Sequence, residues 1–206
     1  MKKKKSYHQY VFNVDRKQFV GNFEEMYKKE KIDPWYSSDL SNDAKKIHSA
    51  LLSSYSFNSI LDYGCGKGVF THTLKKNYNK VYGVDISKNV IKKAMLTYGH
   101  IVNFSTTSES KWLKKKYDLI ICLEVLSYVK KYKELLRKFS VRANYLYLSL
   151  YVPKNPIGFV KNIDELINNL KLNYSIKSKI IYNDESVFIL AKSKLYKKKS
   201  SKLSRI

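Results

Sequence analysis

Three glycines and two aspartates within residues 61–87 have the spacing of a turn that binds a nucleoside-containing molecule. The glycines share one short segment and are Gly64, Gly66 and Gly68. Without a Cβ atom they can adopt a positive φ at no steric cost and let the backbone come close to a ligand. Asp85 lies 23 positions after Asp62, about where the second strand of a βαβ unit presents a carboxylate to a ribose.

The spacing of the glycines distinguishes between classes of cofactor. Dinucleotide folds use G-x-G-x-x-G to place a pyrophosphate at a helix N-terminus. This chain instead has acid-x-G-x-G-x-G, with Asp62 at the start of the turn. A carboxylate there would repel a pyrophosphate, whereas it suits a ligand with cationic ammonium and sulfonium groups.

Three segments in order along the chain resemble the class I S-adenosyl-L-methionine (SAM)-dependent methyltransferases. They are LDYGCGKGVF at 61–70, VYGVDIS at 81–87 and YDLIICLEVLSYV at 117–129. The resemblance implies SAM as cofactor and S-adenosyl-L-homocysteine (SAH) as product. It also implies that Asp62 anchors the ammonium group, that Asp85 accepts hydrogen bonds from the ribose and that Ile86 packs on adenine. The residues expected at the cofactor are Asp62, Gly64, Cys65, Gly66, Gly68, Asp85, Ile86, Thr106, Thr107 and Leu123.

Two residues are candidates for catalysis. Glu124 follows the predicted fourth strand, where the family lines the methyl-transfer site, and is expected to be an acceptor-side carboxylate or base. Binding the cofactor or fixing a loop is its alternative role. His8 is the second candidate, because the segment before the fold is expected to cover the pocket and histidine is a natural base near neutral pH. The aromatic residues that could wall the acceptor site, or only pack in the core, are Trp35, Tyr36, Tyr128 and Tyr151.

The elements that must position these residues alternate between strands and helices, which predicts an α/β fold with helices on both faces of the sheet. We expect a Rossmann-like, mostly parallel seven-stranded sheet with an antiparallel C-terminal hairpin. The predicted strands are 59–61, 80–84, 101–105, 119–123, 145–150, 175–182 and 186–192, with a turn at Asn183-Asp184. The predicted helices are 19–30, one from Asp39 or Ser41 to 55, one with Phe70, Leu74 and Tyr78 on its apolar face, 87–98, 130–140 and 164–172.

The chain has 206 residues, enough for one domain with a full core. Residues 37–192 are predicted to form the SAM-binding domain, residues 1–36 a lead-in that acts as a lid, and residues 193–206 a basic, disordered tail. The lead-in resembles a subgroup of small bacterial methyltransferases similar to nodulation-type N-methyltransferases, in which this segment folds over the cofactor. No apolar run approaches the ~20 residues of a membrane helix, so we expect a cytoplasmic protein without membrane insertion.

Two cysteines and four histidines carry weaker signals. Cys65 and Cys122 lack metal-ligand spacing and are expected to be packed thiols near the cofactor, in a reducing compartment. The histidines His48, His72 and His100 are scattered, and each is expected to be structural or exposed.

The net charge of +23 is concentrated at the two ends of the chain. Residues 2–5 supply four positive charges and residues 192–206 supply seven, which leaves +12 for residues 6–191. A nucleic-acid partner is possible on this basis but is not favoured over a solvated lysine-rich surface.

The predicted function is transfer of a methyl group to an oxygen or nitrogen of a small polar acceptor, with sugars or sugar-derived metabolites as candidates. One alternative is an RNA or protein methyltransferase recruited by the basic tails. Another is a non-catalytic binding protein with the same fold. The sequence does not indicate an oligomeric state.

Overall fold

A computed structural model describes residues 8–29, 43–109 and 111–197. In chain order the strands are β1 (Phe12–Asn13), β2 (Gln18–Phe19), β3 (Ser59–Tyr63), β4 (Lys80–Asp85), β5 (Asn103–Thr106), β6 (Tyr117–Leu123), β7 (Ala143–Tyr151), β8 (Tyr174–Tyr182) and β9 (Ser186–Ser193). The helices are α1 (His8–Val11), α2 (Phe23–Lys29), α3 (Asp43–Ser53), α4 (Val69–Thr73), α5 (Lys88–Tyr98), α6 (Tyr132–Arg142) and α7 (Ile163–Asn173). Short 3-10 helices lie at Trp112–Lys114 and Leu126–Tyr128.

Seven strands form one sheet in the order β5-β4-β3-β6-β7-β9-β8. The first five are parallel to one another, and β9 pairs antiparallel with both β7 and β8. This is the predicted mostly parallel sheet with an antiparallel C-terminal hairpin. The chain runs outward from β3 through β4 to β5 and returns to β6, beside β3. Ligands of open α/β sheets bind at such a reversal, outside the carboxyl ends of the strands.

Both faces of the sheet are covered by helices, as predicted. Residues of α6 and α7 share one buried cluster with β6 and β7, while residues of α2 and α5 share the other. Strand β6 is the centre of the core, because Leu119, Ile120 and Ile121 are fully buried. Among the described residues, no helix has the length and apolar character to cross a bilayer.

The helix after the glycine turn is shorter than predicted. Helix α4 ends at Thr73, and Tyr78, which was expected on its apolar face, is exposed. The reason is the buried Asn79, whose side chain accepts from the N–H of Lys76 and donates to the carbonyl of Leu74, each at 2.9 Å. These bonds satisfy backbone groups in a turn that would otherwise continue the helix.

The lead-in also differs from the predicted helix over 19–30. Phe19 lies in β2, which pairs antiparallel with β1, and the helix α2 begins only at Phe23. Gly21 separates the two elements with a φ of 70°, a conformation that ends a strand or helix. The next helix, Asp43–Ser53, ends two residues before the predicted end at 55, and the predicted caps Asp39 and Ser41 lie outside the described residues.

Two local predictions are confirmed. Ser87 caps α5, since its hydroxyl accepts from the N–H of Val90 at 3.2 Å. Asn183 and Asp184 turn the β8–β9 hairpin with φ values of 49° and 55°. Positive φ at both central residues is typical of the tight hairpin turn that Asn and Asp favour.

Candidate functional site

A cavity of about 360 Å³ lies at the carboxyl ends of β3, β4 and β6, within the size range of small-molecule sites. Its walls come from the glycine turn, α2, α3 and the loop after β6. The lining residues are Phe23, Tyr27, Ala44, His48, Asp62, Tyr63, Gly64, Cys65, Gly66, Lys67, Val69, Phe70, Asp85, Ile86, Thr107, Leu123, Glu124, Val125, Tyr128 and Val129.

The glycine turn forms a cradle that side chains would fill. Gly64, Gly66 and Gly68 all have left-handed φ values, 82°, 53° and 77°. A Cβ at Gly64 would lie 2.2 Å from Cγ2 of Val125, and one at Gly68 would lie 2.6 Å from Phe104. At Gly66 the nearest described atom would be the Tyr27 hydroxyl, at 3.4 Å. Two of the glycines therefore allow close packing, and the third leaves the backbone open toward the cavity.

Asp85 joins this turn to the end of β4. Its Oδ2 accepts from the N–H of Gly66 and its Oδ1 from the N–H of Ser87, each at 3.0 Å. The side chain is buried, and burial raises its pKa above the ordinary value although these backbone donors lower it. A carboxylate has about four acceptor positions, more than these backbone donors fill, so Asp85 can still bind a hydroxyl group of a ligand in the cavity.

Asp62 lies at the base of the turn, almost fully buried. The hydroxyl of Thr71 donates to its Oδ2 at 2.6 Å. Burial raises the pKa of Asp62 to about 7, and the nearby charge of Asp85 adds to the rise, while the bond from Thr71 opposes it. A buried carboxyl of this kind gains a compensating charge when a cation binds beside it.

The cavity is acidic although the chain as a whole is strongly basic. Among the described residues that line it are three carboxylates, Asp62, Asp85 and Glu124, and one lysine, Lys67. Burial raises the pKa of Asp62 and of Asp85. These groups fit a ligand that carries cationic ammonium and sulfonium groups, and they would oppose a polyphosphate.

Most of the other predicted cofactor residues also line the cavity. Ile86, Leu123, Cys65 and Thr107 do so, and the N–H of Thr107 donates to the carbonyl of Asp85 at 2.8 Å. Thr106 is not among the lining residues. Its hydroxyl is directed to Glu109, to which it donates at 2.7 Å. Of the two threonines predicted for this position, the structure places Thr107, and not Thr106, at the cavity.

Glu124 has both carboxylate oxygens engaged by β7. Oε1 accepts from the hydroxyl of Ser149 and Oε2 from the N–H of Tyr151, each at 2.7 Å. Its backbone N–H donates to the carbonyl of Ser149, and its φ is 58°, an unusual value for a residue with a side chain. This geometry fixes the loop after β6 to the end of β7 while the side chain remains in the cavity wall.

The remaining candidates divide into three groups. Tyr128 lines the cavity, whereas Tyr151 is half exposed and outside the lining. Trp35 and Tyr36 lie outside the described residues, as does the side chain of His8, whose backbone begins α1.

The two cysteines are free, and only Cys65 lies at the cavity. Cys122, the other cysteine expected near the cofactor, is fully buried in the core directly before Leu123 and is outside the lining. Burial raises the pKa of the Cys65 thiol well above its usual value, so it does not have the properties of a nucleophile.

Among the lining residues that were not predicted, three come from helices α2 and α3. Phe23 and Tyr27 come from α2, where the four-residue spacing indicated a helix face but not the surface it covers. His48 comes from α3, and its Nδ1 lies 2.8 Å from the hydroxyl of the fully buried Tyr147. These two residues are 99 positions apart, so no local pattern could pair them.

Comparisons with known proteins agree with this geometry. A family model described as "Methyltransferase domain" matches residues 36–163. Nodulation protein S of Azorhizobium caulinodans is 30% identical over 110 residues, which cover 51% of this chain and 53% of that protein. Magnesium-protoporphyrin O-methyltransferase of Synechocystis is 37% identical over 73 residues, 32% of this chain and 31% of that protein. The matches thus span about half or less of the length of these curated relatives.

Solved structures share the fold. The N-methyltransferase NodS from Bradyrhizobium japonicum, in complex with SAH, has a TM-score of 0.66 at 17% identity, covering 84% of this chain and 99% of that chain. The magnesium protoporphyrin IX methyltransferase of Synechocystis with bound SAH has a TM-score of 0.61 at 18% identity, covering 90% and 97%. The matched family model, the acidic glycine turn and the sheet order lead to one conclusion: the chain belongs to the methyltransferase domain family, as a class I member of the SAM-dependent methyltransferases.

Proposed function

We propose that this protein transfers a methyl group from SAM to an oxygen or nitrogen of a small polar acceptor. The observation that supports this most directly is the cavity itself. Its glycine turn leaves room for a ligand at Gly66, and buried carboxylates surround that room. A cationic nucleoside ligand satisfies both features.

The residues at the β3 and β4 ends bind the cofactor in this proposal. Asp85 accepts hydrogen bonds from the ribose hydroxyls through the acceptor positions that Gly66 and Ser87 leave open. Asp62 faces the ammonium group, directly or through a water molecule, and Ile86 packs on the adenine. SAM supplies a methyl group on a positively charged sulfur, which an acceptor nucleophile displaces in line.

The residues at the end of β6 and in the loop after it hold the acceptor. Leu123, Glu124 and Tyr128 follow one another in the cavity wall, and Phe23 faces Tyr128 from α2 with ring centroids 5.3 Å apart. Positioning a nucleophile near the methyl group and excluding water can supply ~7–11 kcal/mol of the catalytic effect. The aromatic side chains exclude water, while Glu124 orients the acceptor with an oxygen already fixed by Ser149 or Tyr151.

Sugars and sugar-derived amines are the first acceptors to screen. Aromatic faces and a fixed carboxylate are groups that contact the apolar face and the hydroxyls of such molecules. The lining residues that we place at the acceptor are Phe23, Leu123, Glu124 and Tyr128. None of them is a lysine or an arginine, which disfavours a phosphorylated acceptor.

Calorimetry with SAH tests the cofactor part of the proposal, and turnover of labelled SAM across candidate metabolites tests the acceptor part. We expect SAH to bind and at least one small polar metabolite to be methylated. If SAH does not bind, the proposal is wrong. If it binds and methyl groups are transferred only to RNA or to protein, the acceptor class is wrong and the cofactor assignment stands.

A further inference from the structure

Helix α2 is joined to the N-terminal end of α5 by one acidic side chain. Oε2 of Glu24 accepts from the hydroxyl of Ser87 at 2.5 Å and from the N–H of Asn89 at 3.3 Å. Oε1 accepts from the side-chain amide of Asn89 at 2.8 Å. The first N–H groups of a helix have no partner within it and favour negative charge, so this contact is electrostatically favourable.

The residue that donates to Glu24 also holds Asp85. The backbone N–H of Ser87 donates to Oδ1 of Asp85 at 3.0 Å, and the other oxygen of Asp85 accepts from Gly66 at 3.0 Å. A continuous series of hydrogen bonds therefore leads from Glu24 through Ser87 and Asp85 to the glycine turn. It connects a residue of the lead-in to the carboxylate proposed to bind ribose.

Helix α2 also forms part of the cavity wall. Phe23 and Tyr27 line the cavity, and Glu24 lies between them in the sequence. The carbonyl of Tyr27 accepts a bond from Nζ of Lys93 at 2.5 Å, a second contact between α2 and α5. Releasing α2 from α5 would therefore move two side chains away from the ligand.

We propose that Glu24 is a positioning residue that holds α2 closed over the bound cofactor. Its carboxylate fixes α2 to Ser87 and Asn89, just after Asp85 at the end of β4. Phe23 and Tyr27 therefore stay in position over the cavity, next to the group that binds ribose. This inference rests on the proposed function, because it takes the nucleoside of SAM as the ligand at Asp85. Glu24 acts through Ser87 and α2 and does not contact the reacting atoms.

The next residue on the same helix provides a matched control. Glu25 forms an ion pair with Lys29 at 2.8 Å within α2. It is outside the cavity lining, and its ion pair is with a residue of its own helix rather than with α5. Glu25→Ala removes a carboxylate from α2 without removing the Glu24 contacts.

The experiment measures SAH dissociation by stopped flow and hydrogen exchange of residues 20–29 with and without SAH. In Glu24→Ala we expect SAH to dissociate about ten- to a hundredfold faster, which is the factor expected when hydrogen bonds to a charged acceptor are lost. We also expect SAH to no longer slow exchange in α2. Glu24→Gln keeps one acceptor oxygen and should give an intermediate rate, while Glu25→Ala should match the wild type.

The outcomes separate this inference from the proposed function. If the wild type binds SAH and Glu24→Ala releases it at the wild-type rate, with α2 still protected by SAH, the role of Glu24 is wrong and the cofactor assignment stands. Equal acceleration in Glu24→Ala and Glu25→Ala would also overturn it, because the effect would then reflect general loosening of α2. If the wild type does not bind SAH, the proposed function fails and this inference fails with it.

Discussion

The N–H of Gly66 donates to Oδ2 of Asp85 at 3.0 Å, so the carboxylate at the end of β4 holds the turn that follows β3. The two parts of the sequence signature thus meet directly. Asp85 organises the backbone of the cradle and, in our proposal, binds the ligand that the cradle receives. A substitution at Asp85 is expected to affect cofactor binding through both roles.

Asp85→Asn should weaken SAH binding by roughly 1.5–3 kcal/mol, because charge-assisted hydrogen bonds to the ribose are replaced by weaker ones. Isothermal titration calorimetry measures the change. Asp164→Asn is the matched control, since Asp164 is exposed in the first turn of α7 and outside the cavity lining. Equal SAH affinity in the wild type and Asp85→Asn would refute the ribose assignment.

Gly64→Ala should destabilise the protein by about 2–4 kcal/mol, because the new Cβ would lie 2.2 Å from Val125 at a φ of 82°. Adding Val125→Ala should recover part of the loss, since it removes the clash but not the backbone strain. Urea unfolding of both single variants and the double variant gives the coupling energy. Additive losses would mean that Val125 does not limit the space at Gly64.

The stability of the ligand-free protein should depend on Asp62 between about pH 4 and pH 7. The native carboxyl retains its proton up to a pKa of about 7, while the unfolded chain loses it near the ordinary value of 3.8. The native state therefore binds more protons in this range, and the contribution of Asp62 to the free energy of unfolding falls as the pH rises.

Asp62→Asn removes this dependence, so its stability relative to the wild type should increase from pH 5 to pH 8. The difference between the native pKa of about 7 and the ordinary value of 3.8 limits this increase in stability to about 4 kcal/mol. Urea titrations at several pH values without SAM or SAH measure the difference between the two proteins. A difference that stays constant across this range would contradict the raised pKa.

The sequence predicted the end of the cavity formed by the glycine turn and Asp85 because the parts of this end are local. Gly66 and Asp85 are 19 positions apart, and a βαβ unit brings them together in any fold of this class. Helices α2 and α3 reach the cavity through contacts that no short pattern records. The pairing of His48 with Tyr147 joins α3 to the middle of β7, and α2 reaches the cavity only through tertiary packing. The sheet was predictable because buried strands such as β6 give continuous apolar runs.

Helix ends and short elements were less predictable for a related reason. Asn79 ends α4 early through side-chain bonds to the backbone, and Gly21 divides the lead-in into a hairpin and a helix. Apolar spacing alone does not distinguish these outcomes from a continuous helix. In both cases a single polar or glycine residue outweighs a weak periodic signal.

Glu124 can be tested for its two roles separately. Its left-handed φ of 58° costs a residue with a Cβ more than it costs glycine, so Glu124→Gly should be more stable than Glu124→Ala by about 1 kcal/mol. Both variants lose the bonds to Ser149 and Tyr151, so the difference isolates the backbone strain. Urea unfolding measures it, and Glu124→Ala at least as stable as Glu124→Gly would show that the strain is not present.

The acceptor role of Glu124 predicts a different pattern in kinetics. Ser149→Ala removes one bond to Glu124 but leaves its carboxylate in the cavity wall, whereas Glu124→Gln removes the charge. If the carboxylate orients the acceptor, Glu124→Gln should lower kcat/KM for the acceptor at least about tenfold, with SAH affinity unchanged, and Ser149→Ala should lower it less. If Glu124 only fixes the loop to β7, the two variants should lower kcat/KM alike, in proportion to their loss of stability. Turnover and unfolding measured on the same preparations distinguish the two roles. Only an acceptor contact would make Glu124→Gln lose more kcat/KM than its loss of stability explains.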